Sequence, residues 1–116
     1  LSQASGRTAL IADRDQFIAV SGGYRSLLGK SISKELEEKL NNREMILASK
    51  EDSDFIPITQ DVTDDFTQEA ITPIICEGDM IGGVVLIDNG EKGKMGEVEQ
   101  KLIQSAAGFL GRQMEQ

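Results

Sequence analysis

The sequence predicts an α+β fold, a layered α/β arrangement in which one antiparallel sheet is covered by helices. Two pairs of apolar segments are each joined by a few turn-forming residues, which is the pattern of a β-hairpin. Two other segments repeat apolar residues at helical spacing. Since hairpins join antiparallel strands, a parallel doubly wound sheet is disfavoured, and a length of 116 residues predicts a single domain, residues 1–116.

The two predicted hairpins supply most of the sheet. The first joins residues 8–13 to residues 16–21 through a loop of about two residues. The second joins residues 66–77 to residues 80–88, and its turn contains Gly78, which adopts a positive φ readily. The second pair has the clearer strand pattern, so we expect its two strands to be central.

Two shorter apolar runs lie between the hairpins, at residues 45–48 and 55–58. Pro57 lacks the N–H that a central strand would use, so the second run is expected at an edge of the sheet or in a loop. The helix that precedes these runs is predicted to start at Ser31 as its N-cap and to reach about Asn42. Its apolar residues recur every four positions, so we expect an amphipathic helix.

The chain ends in a predicted helix that begins near Gly96 and carries two apolar stripes, offset by about 100° at the usual helical pitch. One stripe consists of Val98, Leu102, Ala106 and Phe109, and the other of Ile103, Ala107, Leu110 and Met114. A surface helix of a monomer needs one stripe, so we expect one to lie on the sheet and the other to meet a second copy of the chain. The predicted dimer interface is Leu102, Ile103, Ala106, Ala107, Phe109, Leu110, Gly111 and Met114.

Composition excludes several classes of function. A net charge of -8 disfavours unaided binding to nucleic acid or to an anionic membrane, because both require a basic surface. No apolar run approaches the roughly 20 residues that cross a bilayer, and a single cysteine without a leader sequence favours the cytoplasm. Residues 1–6 have the character of a helix end, which indicates a piece of a longer protein.

The sequence offers little catalytic chemistry, because it contains no histidine, the commonest general base and metal ligand. Cys76 follows two isoleucines and is expected to be a buried, unreactive thiol; a thiol enzyme that uses Cys76 is the weaker alternative. A run of carboxylates without an intervening glycine lacks calcium-loop spacing, so we predict a solvated loop and no metal. Its members are Glu51, Asp52, Asp54, Asp61, Asp64, Asp65 and Glu69.

Two glycine pairs mark places where the backbone turns or is closely approached. Residues 21–25 lack the spacing of a phosphate-binding loop, so a plain turn is favoured over an anion site. Gly82 and Gly83 stand within a strand, where we expect the terminal helix to pack against them. The candidate residues for a ligand pocket are Tyr24, Arg25, Phe66 and Thr72.

Several blocks of the sequence resemble a known family, the C-terminal domain of stage V sporulation protein T from endospore-forming bacteria. The blocks are residues 12–15, 17–22, 30–33, 72–73, 95–99, 106–110 and 112–116. The resemblance implies a GAF domain related to the PAS fold, preceded in the family by an AbrB-type DNA-binding domain that this chain lacks. It also implies a transcription regulator that is not an enzyme, binds DNA only through the missing domain and forms homodimers or tetramers.

Three functions remain open at this point. The first is a regulatory module that senses an unknown small-molecule effector, assembles with itself and holds no cofactor. The second is a purely structural dimerisation module, whose core would be filled by side chains. The third is the Cys76 enzyme.

Overall fold

The computed structural model describes residues 7–60, 66–89 and 93–115. The elements in chain order are β1 (Thr8–Ala12), β2 (Phe17–Ser21), α1 (Lys34–Asn41), β3 (Ile46–Ser49), β4 (Gln68–Cys76), β5 (Asp79–Asp88) and α2 (Glu97–Gln113), with a 3-10 turn at Arg25–Leu27. The predicted helix end at residues 1–6 and the acidic positions 61–65 lie outside the described residues.

The five strands form one antiparallel sheet in the order β2-β1-β5-β4-β3. The predicted α+β class is confirmed, and β4 and β5 are central as expected. Their hairpin closes tightly because Glu77 and Gly78 both have positive φ, at 52° and 86°, between the paired residues Cys76 and Asp79. Positive φ at both turn residues matches the right-handed twist of the flanking strands.

Alternation along the central strands builds a core on each face of the sheet. From Gly82 onward, odd-numbered residues of β5 face α1 and even-numbered residues face α2, whereas before the β-bulge Met80 faces α1 and Ile81 faces α2. The α1 side contains Leu10, Phe17, Leu27, Leu36, Leu40, Ile71, Val85 and Ile87. The α2 side contains Ala70, Ile74, Val84, Leu86, Met95, Ile103 and Ala107. Residues 55–58 are irregular, with Ile56 and Ile58 buried and Pro57 exposed, as the proline predicts.

The start of α1 differs from the prediction. Its N-cap is Ser33 rather than Ser31, since the Ser33 Oγ accepts a hydrogen bond from the Leu36 N–H at 2.9 Å. Ser31 pairs with Gln16, and Ile32 pairs with Thr59, in isolated β-bridges. The extended backbone at these bridges delays the helix by two residues.

The predicted packing of the terminal helix on Gly82 and Gly83 is wrong. A Cβ on Gly83 would lie 2.7 Å from the Leu40 Cδ2 atom, so α1 makes the close approach there. A Cβ on Gly82 would lie 2.1 Å from the carbonyl oxygen of Ala12, in the neighbouring strand. The prediction failed because Gly83 lies on the face of the sheet that α1 covers, whereas α2 covers the opposite face.

Helix α2 lies mainly over β4. It approaches the sheet closely at Gly111, where a Cβ would lie 2.2 Å from the carbonyl oxygen of Ile75. The described part of the chain contains no helix with the length and hydropathy needed to span a membrane.

Candidate functional site

The outer face of α2 carries several exposed large apolar side chains. Val98, Leu102, Phe109 and Met114 are exposed to between 55% and 77%. Val98, Leu102 and Phe109 share one side of α2, whereas Met114, at the C-cap, lies on the side of Ile103 and Ala107. Exposed apolar side chains scattered singly need no explanation, but a continuous row of them marks an interaction surface. We call Val98, Leu102 and Phe109 the outer row.

The inner side of α2 corrects the predicted interface. Ile103, Ala107 and Gly111 are buried against the sheet of their own chain, so they are unavailable to a partner. Ala106 and Leu110 are half-buried at the border between the two sides. The two-stripe pattern correctly indicated two apolar sides but assigned three inward residues to the interface, because helical spacing alone does not say which side faces the sheet.

The predicted pocket residues do not form one site. Tyr24 and Phe66 do meet, with ring centroids 6.2 Å apart in an edge-to-face arrangement, and Phe55 contacts Phe66 at 5.7 Å. Arg25 is exposed in the 3-10 turn. Thr72 is buried on the opposite face of the sheet, under α2, because it shares the parity of Ala70 and Ile74 in β4.

Glu69 was predicted to be a solvated carboxylate, and this prediction is wrong. It is fully buried in β4 on the α1 side. Its Oε1 accepts a hydrogen bond from the Ile56 N–H at 2.8 Å, while its Oε2 is buried and has no hydrogen-bond partner among the described residues. Burial raises the pKa of Glu69 from 4.5 to about 8, although the Ile56 N–H acts in the opposite direction. The raised pKa favours the protonated, neutral form of Glu69 near neutral pH.

The space between the sheet and α1 is filled by side chains with no exposed area, including Leu10, Phe17, Leu36, Leu40 and Val85. A cleft of about 200 Å³ lies elsewhere, beside the edge strand β3. It is lined by Leu47, Ala48, Ser49, Asp52, Gln68, Lys94 and Met95. None of the four predicted pocket residues lines that cleft.

Cys76 lies half-buried at the end of β4. Burial raises the pKa of its thiol, and the carboxylates of Glu77, Glu115 and Asp79 raise it further. This environment disfavours the thiolate that a nucleophile requires. Within residues 7–60, 66–89 and 93–115, no three histidine, cysteine or acidic side chains are grouped so as to hold a metal ion.

Comparison with known proteins agrees with this architecture. The family model described as stage V sporulation protein T C-terminal, transcription factor, matches residues 1–115. The chain is 41% identical over 117 residues to stage V sporulation protein T of Bacillus subtilis (strain 168). The match covers 100% of this chain and 64% of that protein, so the chain spans less than two thirds of its relative's length.

Two solved structures show the same fold at low identity. The second GAF domain of DevS from Mycobacterium smegmatis has a TM-score of 0.68 at 10% identity, covering 96% of this chain and 80% of that one. A type II free methionine-R-sulfoxide reductase from Thermoplasma acidophilum has a TM-score of 0.64 at 10% identity, covering 93% and 77%. At such identity the likeness concerns the fold alone, and that fold is the GAF fold that the resemblance implied.

Proposed function

The chain belongs to the family of stage V sporulation protein T C-terminal domains, and on that premise we propose that it is the regulatory and assembly module of a sporulation transcription factor. Since the chain spans 64% of the length of its Bacillus relative, DNA binding is assigned to a part of the protein outside this chain. The net charge of -8 agrees with that division, because this domain has no basic excess for phosphate contacts. A transcription factor works where the DNA is, so we place it in the cytoplasm.

The outer row of α2 carries the assembly half of the proposal. Its three side chains are half or more exposed, and burying each one fully would contribute about 1.5–3 kcal/mol before the costs of association. A second copy is the natural partner, because a two-fold axis along α2 places the row of one chain against the row of the other. The result is a homodimer that brings two DNA-binding domains together, and pairs of dimers would give a tetramer.

Substituting the outer row tests this assembly. Phe109→Asp places a charge in the apolar contact, which costs several kcal/mol unless the charge is paired, so sedimentation velocity should show a lighter species. Gln104→Asp is the matched control, since Gln104 is also exposed on α2 but is not part of the outer row. Identical sedimentation of Phe109→Asp, Gln104→Asp and the unmodified chain would contradict the assembly role.

The second half of the proposal is that the domain senses an effector. The observation that supports it is the buried carboxyl group of Glu69 on the same side of the sheet as a cluster of aromatic side chains. Tyr24, Phe55 and Phe66 form the cluster, and the Glu69 Oε2, which has no hydrogen-bond partner within the described part of the chain, lies on the same side of the sheet. A small ligand that hydrogen-bonds this oxygen and stacks on the rings would shift the population of α2 arrangements if it favoured one of them.

The filled space between the sheet and α1 supports the alternative, a structural dimer module without a ligand. Titrating the ¹⁵N-labelled chain with amino acids and nucleotides at millimolar concentration distinguishes the two. Shifts concentrated at residues 24, 55, 56 and 66 would support an effector site. Unchanged spectra throughout would leave the structural module as the function. An enzymatic role of Cys76 is not proposed, because its surroundings raise the pKa of the thiol.

A further inference from the structure

Arg7, directly before β1, joins parts of the chain that are far apart in sequence. Its Nε lies 2.7 Å from the Asp88 Oδ2 at the end of β5, and its Nη1 lies 3.3 Å from the Glu99 Oε2 in the first turn of α2. Its Nη2 donates a hydrogen bond to the Gly93 carbonyl oxygen at 3.4 Å. The Arg7 side chain is 12% exposed and that of Asp88 is 0% exposed, so the contacts are shielded from solvent.

The residues that Arg7 contacts are themselves held in place. The Gln68 Nε2 of β4 donates hydrogen bonds to the Asp88 Oδ1 at 3.2 Å and to the Gly93 carbonyl oxygen at 2.7 Å. The Gln68 Oε1 accepts a hydrogen bond from the Met95 N–H at 2.7 Å. Both central strands and the residues leading into α2 therefore share one polar network with Arg7.

Glu99 contributes the link to α2. Its Oε1 accepts a hydrogen bond from the Gly96 N–H at 2.8 Å, which caps the helix, while its Oε2 faces Arg7. The Gly96 N–H lowers the pKa of Glu99, and the positive charge of Arg7 lowers it further. One carboxylate thus fixes the start of α2 with one oxygen and the guanidinium of Arg7 with the other.

The charge arrangement makes Arg7 hard to displace. Two carboxylates share one guanidinium, and a buried carboxylate that loses its cationic partner is strongly destabilised. The guanidinium is a rigid fork, so contacts to Asp88 and Glu99 together also fix its orientation. The backbone at residue 7 therefore has a defined position relative to α2.

We propose that Arg7 is a coupling residue, through which the position of α2 sets the position of the backbone at residue 7, directly before β1. The effect on DNA binding rests on the proposed function, in which α2 is the assembly helix and the DNA-binding part of the protein precedes this domain. The coupling itself lies within one chain and is testable without assembly.

Glu99→Gln separates the two roles of Glu99. A glutamine oxygen still accepts the Gly96 N–H, so the cap is kept, but the charge that faces Arg7 is removed. We expect amide hydrogen exchange at residues 7–9 to accelerate roughly tenfold, the factor that corresponds to one lost charge-assisted hydrogen bond. Arg7→Met should accelerate exchange at residues 93–100 in the same way, and the double variant should add little.

Glu97→Gln is the matched control, because Glu97 lies in the same helical turn and its side chain is exposed. Exchange at core amides of β5 reports global stability in every variant. Equal exchange at residues 7–9 in Glu99→Gln and Glu97→Gln would overturn the coupling. If Arg7→Met does not fold, the Glu99→Gln comparison decides. If the chain is monomeric and Glu99→Gln still accelerates amide exchange at residues 7–9, the proposed assembly is contradicted and the proposed coupling is supported.

Discussion

Replacing Glu69 with glutamine should change the way in which stability depends on pH. Glu69 is fully buried and its pKa is raised from 4.5 to about 8, so the folded chain keeps a proton that the unfolded chain releases in this interval. The unfolded state then binds fewer protons than the folded state, and stability falls as pH rises. The loss begins near pH 4.5 and is complete above about pH 8.

The size of the effect follows from the width of this interval. Each pH unit within it costs about 1.4 kcal/mol, so the unmodified chain should lose about 3 kcal/mol between pH 4.5 and pH 7 through Glu69 alone. Glutamine keeps an acceptor for the Ile56 N–H but leaves amide hydrogens unpaired, which costs about 1 kcal/mol at pH 4. Glu69→Gln should therefore be the less stable protein at pH 4 and the more stable one, by about 2 kcal/mol, at pH 7.

Urea unfolding at a series of pH values from 4 to 9 measures this difference. Other titrating groups are the same in both proteins, so they cancel when the two free energies of unfolding are subtracted. Glu35→Gln is the control for the change from a carboxylate to an amide, because Glu35 is exposed on α1. A Glu69→Gln curve that runs parallel to the unmodified curve, without crossing it, would show that Glu69 is charged and solvated at neutral pH.

Three further outcomes follow from the packing. Ser33→Ala should lower the free energy of unfolding by about 1 kcal/mol through loss of the α1 cap, whereas Ser31→Ala should not; equal effects in urea unfolding would contradict the Ser33 cap. Gly83→Ala should destabilise by about 1–3 kcal/mol, since its methyl group would meet Leu40, and a neutral effect on the melting temperature would contradict that close approach. Cys76 should be alkylated by iodoacetamide more slowly at pH 7 than a free thiol, and equal rates would contradict its raised pKa.

The sequence predicted those features of the fold that depend on local spacing. The β4–β5 hairpin follows from two apolar strands and Gly78, and the two sides of α2 follow from helical periodicity. The α1 cap was predicted at Ser31 instead of Ser33. Ile32 pairs with Thr59, which is distant in the sequence, and helical spacing does not reveal such a pairing. For the same reason Gly83 was assigned to the wrong helix.

The site was less predictable, because its chemistry depends on burial and on long-range pairing. Glu69 follows several acidic residues and was grouped with them. It stands two positions before the buried Ile71 in the same strand, and side chains two positions apart in a strand face the same side, so the sequence did contain a sign of its burial. The contacts of Arg7 to Asp88 and Glu99 cross most of the chain, and no pattern of neighbouring residues indicates them. Of the four candidate pocket residues, Tyr24 and Phe66 are in contact, whereas Thr72 lies on the other face of the sheet.

The mass of the unmodified chain in solution tests the central claim, that the outer row of α2 joins two copies. Sedimentation equilibrium over micromolar to millimolar concentrations measures it directly. The account predicts an assembly of twice the mass of one chain, or a multiple of that dimer, which becomes lighter on dilution. A single species with the mass of one chain at every concentration would contradict the claim.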